Sequence, residues 1–189
     1  MPDLREQLQK GFQGRVCLMG LGNADYGDDG LGVCLAEAVA EHLGKPSTSP
    51  GALEVVIAGT TPDKFVGRVT EEGIDHLVFL DAVEFGGAPG SVILLDAGQM
   101  AARFPQVSTH KISLGLLAKW VEANGKTKAW LLGVQPESLK AAQRLTPVVQ
   151  ETVEVLKDLL CSIGCGEHSS HQNNCRPDDQ SQRWTYANP

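Results

Sequence analysis

The chain has 189 residues, of which 42% are hydrophobic, and this is enough apolar material for one globular domain with its own core. It carries 16 Lys and Arg against 23 Asp and Glu, a formal net charge of −7. A chain of this charge repels polyphosphates, which excludes nucleic acid as an expected partner.

The first fourteen residues lack the apolar stretch of a signal peptide, and later apolar runs are too short to cross a bilayer. Cys17 and Cys34 lie in apolar segments, as expected of free thiols in a reducing compartment. No heptad pattern or exposed apolar stripe indicates a partner helix. We therefore expect a cytoplasmic monomer without a membrane partner.

Five short apolar runs predict buried strands, and three amphipathic patterns predict helices between them. The predicted strands are residues 16–19, 53–58, 77–80, 92–95 and 129–134. The predicted helices are residues 31–43, 112–122 and 147–160, the last opening with Pro147 after a Thr146 cap.

Strands that alternate with helices predict a three-layer α/β sandwich with helices on both faces of a mostly parallel, twisted sheet. Only residues 82–90 separate the third and fourth strands, and a parallel crossover needs about a dozen residues or more. The fourth of the five strands should therefore run antiparallel. We predict an N-terminal lead (1–14), one α/β domain (15–161) and a polar, mobile tail (162–189).

The first predicted strand leads into a glycine-rich loop, residues 20–30 (GLGNADYGDDG). Such a strand-to-helix turn often binds phosphate, but Asp25 replaces the third small residue of the dinucleotide fingerprint and no Walker lysine is present. Asp25, Asp28 and Asp29 instead put three carboxylates where a phosphate would bind. The loop therefore suits a cation or a hydrogen-bond donor, unless one aspartate is only a helix N-cap.

Two further residues follow predicted strands. Asp81 ends the third strand, and in open α/β sheets the carboxyl ends of the first and third strands often flank the ligand site. His110 precedes the helix after the fourth strand. Taken alone, Asp81 is also a common turn former and His110 a common surface residue. Together with Asp29 they form a set that suits Ni²⁺ or Zn²⁺ and leaves coordination positions open.

Five different short motifs occur along the chain in a characteristic order and spacing. They are residues 20–23 (GLGN), 27–32 (GDDGLG), 80–82 (LDA), 108–110 (STH) and 133–138 (GVQPES). Together they resemble the hydrogenase maturation endopeptidase family. The resemblance extends over residues 15–160. Residues 59–63 and the Gln-Pro-Glu sequence are most similar to the branch that processes hydrogenase 3.

The resemblance implies an endopeptidase that removes the C-terminal extension from the large-subunit precursor of a [NiFe] hydrogenase after nickel has been inserted. The metal ligands of the family correspond by position to Asp29, Asp81 and His110. The nickel is supplied by the precursor, and no organic cofactor is implied. Metal binding would then hold the scissile bond in place.

The catalytic group is less defined by the sequence. Neither an HExxH motif nor a GxSxG elbow is present, and the predicted burial of Cys17 and Cys34 argues against a thiolate nucleophile. Attack by water assisted by an acidic group remains, with Asp28 as the candidate. Glu137 either lines the same cleft or, as we prefer, starts a helix.

Three alternative functions are compatible with parts of this pattern: a non-catalytic nickel-binding chaperone or docking module, a nucleotide-binding α/β domain, and a general zinc peptidase. The tail offers a further metal-binding alternative, although its spacing matches no known zinc motif. That set consists of Cys161, Cys165, His168, His171 and Cys175.

Overall fold

The computed structural model describes residues 3–44, 53–104, 113–123 and 125–164. Its centre is a five-stranded sheet in the order β2-β1-β3-β5-β4. The strands are β1 (Val16–Leu21), β2 (Leu53–Gly59), β3 (His76–Ala82), β4 (Val92–Asp96) and β5 (Lys128–Val134). All neighbouring strands are parallel except β4, which pairs antiparallel with β5. The predicted mixed sheet and its reversed strand are confirmed.

Helices cover both faces of this sheet. The helices are α1 (Leu4–Gly11), α2 (Leu31–Leu43), α3 (Asp63–Glu71), α4 (Ala97–Arg103), α5 (Leu114–Glu122) and α6 (Pro147–Gly164). One apolar core lies between the sheet and α3, α4 and α5, and a second lies between the sheet and α1, α2 and α6. The three-layer α/β sandwich is therefore confirmed. Within the described ranges, no helix combines the length and the apolar character needed to cross a membrane.

Three short helices were not predicted: α1, α3 and α4. Helix α1 lies within the N-terminal lead, where Leu8 is fully buried and Phe12 nearly so. Helix α4 begins with a capping box, in which the Asp96 carboxylate accepts from the Gln99 N–H and the Gln99 side chain accepts from the Asp96 N–H. This Asp-x-x-Gln pattern is a helix-start signal that the sequence contained.

Helix α6 continues to Gly164, so it includes the first residues of the predicted tail. The rest of that tail, with its candidate Cys and His ligands from Cys165 onward, lies outside the described residues. Cys161 is described, and it is buried in α6.

The two central strands determine where a ligand site can form. Every residue of β1 and β3 is buried, because both faces of these strands are covered by helices. From β1 the sheet extends to β2 on one side and to β3 on the other. The winding direction therefore reverses between β1 and β3, and ligand sites in such sheets typically lie beyond the carboxyl ends of these strands.

An aromatic cluster joins α1 to the opposite end of the sheet. The His76 Nδ1 accepts a hydrogen bond from the Trp130 indole N–H at 3.1 Å, and the His76 ring lies 5.7 Å from that of Phe12. His76 is only 8% exposed. Its burial, and secondarily the nearby Lys128 charge, lower the pKa of the imidazole below its ordinary value.

This cluster predicts a specific pH dependence of stability. Because the folded state lowers the pKa of His76, the unfolded chain binds the proton more tightly, and stability should fall as the pH drops below the ordinary value of 6.5. His76→Phe removes this contribution. Urea unfolding is measured for both proteins at a series of pH values. As the pH falls, the free energy of unfolding of the wild type should decrease relative to that of the variant. A difference independent of pH would contradict the assignment.

Candidate functional site

The glycine-rich loop folds back tightly after β1. Gly22 has a φ of 109°, a conformation that L side chains rarely adopt. A Cβ at this position would lie 1.7 Å from the Asp29 carbonyl oxygen. The loop then forms a short 3₁₀ helix, Gly27–Gly30, which leads directly into α2. Glycine at position 22 therefore allows Asp29 to return to the end of β1.

The first turn of α2 lies directly on the ends of the two central strands. A Cβ on Gly32 would be 2.0 Å from the Leu80 carbonyl oxygen and 2.6 Å from that of Leu21. Leu21 ends β1, and Leu80 precedes Asp81 in β3. This close approach brings the 3₁₀ helix against the carboxyl edge of the sheet, where it contacts β3.

Two of the predicted metal ligands, Asp29 and Asp81, lie at this edge and are buried. Asp29 is 8% exposed, and its Oδ2 accepts from the Asn23 N–H at 2.8 Å. Asp81 is 3% exposed, and its Oδ1 accepts from the Ala82 N–H at 3.0 Å. Both carboxylates accept hydrogen bonds, and a cation bound at this edge would in addition offset their buried charge.

The third predicted ligand, His110, lies outside the described residues. Within the part of the chain that the structure describes, no three His, Cys, Asp or Glu side chains come together as a metal site. The three-ligand set therefore stays a prediction, for which the structure gives the positions of Asp29 and Asp81.

Asp28 has a different environment from its neighbour. It is fully buried, and its Oδ2 accepts hydrogen bonds from the N–H groups of Glu137 and Ser138 and from the Thr146 hydroxyl, at 2.9, 3.0 and 3.0 Å. Its Oδ1 accepts from the Thr146 N–H at 2.7 Å. We call these four residues the Asp28 cluster. Four donors therefore surround this carboxylate, three of them at Oδ2 and one at Oδ1.

The Asp28 cluster argues against the role of general base that the sequence suggested for Asp28. A base must reach the proton that it abstracts, whereas this carboxylate is enclosed by donors from the β5–α6 connection. Nor does an aspartate of this loop act as the N-cap of α2, because that position is Gly30 and no side chain caps the helix. Asp28 instead holds the 3₁₀ helix against the connection between β5 and α6.

Backbone hydrogen bonds extend this attachment. The Gly27 N–H donates to Ala142 O at 2.8 Å, the Ala142 N–H donates to Asp25 O at 3.1 Å, and the Asp28 N–H donates to Ser138 O at 3.3 Å. The Asp25 side chain is exposed. The three loop carboxylates therefore do not share one environment: Asp25 faces solvent, Asp28 is enclosed by donors, and Asp29 lies at the sheet edge.

The motif after β5 also contains a structural residue that the sequence analysis missed. The Gln135 Oε1 accepts from the Phe85 and Gly87 N–H groups at 2.9 and 3.2 Å, and so fixes the connection between β3 and β4. A glutamine directly after a buried strand was the available signal. Glu137 is exposed and belongs to no helix, so the preferred interpretation as a helix start is wrong.

Cys17 and Cys34 do not offer a nucleophile. Burial raises the pKa of the Cys17 thiol to about 12, and burial also raises the pKa of Cys34. The thiolate is the reactive form, and at neutral pH it is scarcely populated in such surroundings. This agrees with the sequence-based argument against cysteine catalysis.

Comparison with known proteins identifies the family. The sequence model for hydrogenase maturation protease (HycI) matches residues 37–163. The hydrogenase 2 maturation protease of Escherichia coli K12 is 29% identical over 154 residues, covering 79% of this chain and 90% of the relative. The hydrogenase 3 maturation protease of the same organism is 27% identical over 139 residues, covering 74% of this chain and 84% of the relative.

Solved structures give the same result. The [NiFe] hydrogenase maturation protease HycI from Thermococcus kodakarensis KOD1 superposes with a TM-score of 0.73 at 28% identity, covering 86% of this chain and 99% of that one. The hydrogenase maturating endopeptidase HybD from E. coli superposes with a TM-score of 0.64 at 28% identity, covering 78% of this chain and 90% of that one.

The chain belongs to the hydrogenase maturation protease family. It is therefore a hydrolase of the peptidase class, and its fold is that of the solved family members. The predicted hydrogenase 3 branch is not singled out, because the hydrogenase 2 and hydrogenase 3 proteases are about equally similar to the chain.

The close approach at Gly32 predicts a large cost for a single methyl group. Gly32→Ala should destabilise the fold by about 3 kcal/mol, because the new Cβ would overlap the backbone of both central strands. Gly67→Ala in α3 is the matched control, since open space surrounds that position and alanine favours a helix. Urea unfolding measures both. Equal stabilities of the two variants would contradict the packing argument.

The Asp28 cluster predicts a graded effect of substitution. Asp28→Ala leaves three partly buried N–H groups and a hydroxyl without their acceptor and should cost about 3 kcal/mol. Asp28→Asn keeps one acceptor oxygen and should cost roughly half of that. Asp25→Ala, an exposed neighbour, should leave the unfolding free energy unchanged.

Hydrogen exchange provides a local readout of the same variants. The amides of Glu137, Ser138 and Thr146 should exchange faster in Asp28→Ala than in Asp25→Ala. Unchanged protection of these amides would show that other contacts hold the β5–α6 connection.

Proposed function

We propose that this peptidase removes the C-terminal extension from the large-subunit precursor of a [NiFe] hydrogenase, and that Asp29, Asp81 and His110 bind nickel already present in that precursor. Its relatives support the substrate class, since they are maturation proteases of hydrogenases 2 and 3 and of a [NiFe] hydrogenase.

The observation that carries the nickel assignment is the position of Asp29 and Asp81. Both carboxylates are buried at the carboxyl edge of β1 and β3, where the winding direction of the sheet reverses. Two carboxylates and one imidazole suit a divalent first-row ion, and three protein ligands leave positions for groups of the substrate. The nickel is part of the substrate, and no organic cofactor takes part.

Binding the precursor's nickel contributes to the reaction by positioning. When three side chains hold the ion, the peptide segment attached to it is held at a fixed place, and the attack by water on the scissile bond no longer depends on chance encounter. The specificity of the enzyme then follows from nickel loading, because a nickel-free precursor lacks the group that is bound. We assign no general base, since Asp28 is enclosed by its four donors.

The oligomeric state, the cellular location and the class of partner belong to the same proposal. The protein acts as a monomer in the cytoplasm, and its macromolecular partner is a protein. The net charge of −7 supports this choice over nucleic acid.

Cleavage of a defined precursor tests the proposal. The purified chain is incubated with the large-subunit precursor from the organism that encodes it, with and without nickel, and the precursor mass is followed. We expect loss of one C-terminal peptide from the nickel-loaded form only. Asp29→Ala, Asp81→Ala and His110→Ala should each slow the cleavage about 100-fold or more, because the scissile bond is no longer held in position.

Asp25→Ala serves as the matched control, because it removes an exposed carboxylate from the same loop and should cleave at the wild-type rate. Cleavage that proceeds equally without nickel, or at the wild-type rate in Asp29→Ala, would refute nickel recognition. Stable binding of the nickel-loaded precursor without any cleavage would instead support the non-catalytic docking module.

A further inference from the structure

Some of the exposed apolar side chains lie on segments at the same edge of the sheet as the candidate metal site. Six large hydrophobic residues are exposed in the described part of the chain, and three of them, Tyr26, Ile57 and Leu139, lie on segments at the carboxyl edge of the sheet. Tyr26 is 48% and Leu139 is 36% exposed. We call these two residues, which lie on adjoining loops, the docking rim. Exposed apolar groups beside a buried polar site are typical of a surface that binds a partner.

The backbone beneath the docking rim is fixed. Tyr26 forms a parallel bridge with Ala142, and the loop after β5 is bound to the glycine-rich loop through the Asp28 cluster. The carbonyl oxygens of Ser138 and Lys140, on either side of Leu139, lie 3.4 and 3.3 Å from the place of a Cβ on Gly27. Tyr26 and Leu139 are therefore presented from neighbouring segments whose conformation needs little ordering when a partner binds.

The docking rim also adjoins the predicted metal ligands. The backbone N–H of Asp29 donates to the backbone carbonyl of Tyr26 at 3.1 Å, so Tyr26 lies one turn of the 3₁₀ helix before a predicted metal ligand. Asp29 and Asp81 are buried, whereas Tyr26 and Leu139 are exposed. The exposed rim therefore lies beside a buried carboxylate, where a polypeptide bound at the site can contact it.

We propose that the docking rim binds an apolar side chain of the precursor polypeptide near its scissile bond, and so contributes to substrate affinity rather than to the chemical step. This proposal rests on the proposed function, because it takes the hydrogenase large-subunit precursor as the occupant. Tyr26 supplies an aromatic face and Leu139 an aliphatic one, and aromatic anchors on a preformed surface carry much of the affinity in protein recognition.

Steady-state kinetics with the nickel-loaded precursor tests this role. Tyr26→Ser and Leu139→Ser should each raise KM about tenfold, the effect expected from losing the burial of one apolar side chain. The value of kcat should stay within about twofold, because the contact is equally strong in the ground state and the transition state. The Tm of both variants should match the wild type, since both side chains are exposed.

Two matched controls separate the docking rim from a general loss of surface hydrophobicity. Trp120→Ser on α5 and Val155→Ser on α6 remove side chains that are 56% and 67% exposed, and both variants should keep the wild-type KM. Direct binding of the nickel-loaded precursor to the immobilised wild type and variants is measured in parallel, so that affinity is read even in the absence of turnover.

The outcomes distinguish this proposal from the proposed function. If the wild type cleaves and both rim variants keep its KM and binding, the docking rim is refuted while the protease function stands. If the wild type binds the precursor without cleavage and the rim variants lose that binding, the rim is supported and the nickel-dependent cleavage is refuted. If the wild type neither binds nor cleaves, both proposals fail.

Discussion

A buried aspartate joins two segments that are 109 to 118 residues apart in the chain. The Asp28 carboxylate accepts from Glu137, Ser138 and Thr146, and each of these bonds connects the loop after β1 to the one after β5. Burying such a group without partners is very unfavourable, so the arrangement is stable only when both loops adopt their native paths. The neighbouring Asp29 is held at the sheet edge because its own loop is held there.

The site and the fold depend on the same close contacts. Gly22 lets the loop return over the end of β1, and Gly32 lets α2 lie on the carbonyl groups of β1 and β3. Larger residues at either position would move the 3₁₀ helix away from the sheet and take Asp29 with it. The carboxyl edge of the central strands therefore holds its carboxylates through backbone packing, before any ligand contributes.

The elements with a strong local signal were predicted from the sequence. Strands β1 and β3 are continuous apolar runs because both of their faces are covered, and β4 was correctly reversed because its connection is too short for a crossover. Helices α1, α3 and α4 bury only one or two residues each, so their apolar patterns are too sparse to recognise, although the capping box of α4 was available. Helix α5 is no longer than α3 but buries five residues, and it was predicted. The role of Asp28 could not be predicted, because its donors are distant in sequence and mostly belong to the backbone. The position of His110 remains a prediction.

Three of the four hydrogen bonds to Asp28 come from main-chain N–H groups, and only the Thr146 hydroxyl depends on a side chain. Asp28 therefore dictates the path of the β5–α6 connection without dictating which residues occupy it. Side chains such as Leu139 take no part in these bonds, so they can change while the backbone keeps its course. A single acidic anchor is thus compatible with diverse loop sequences, so that an enzyme of this architecture can acquire new protein substrates without rebuilding the region that carries out the chemistry.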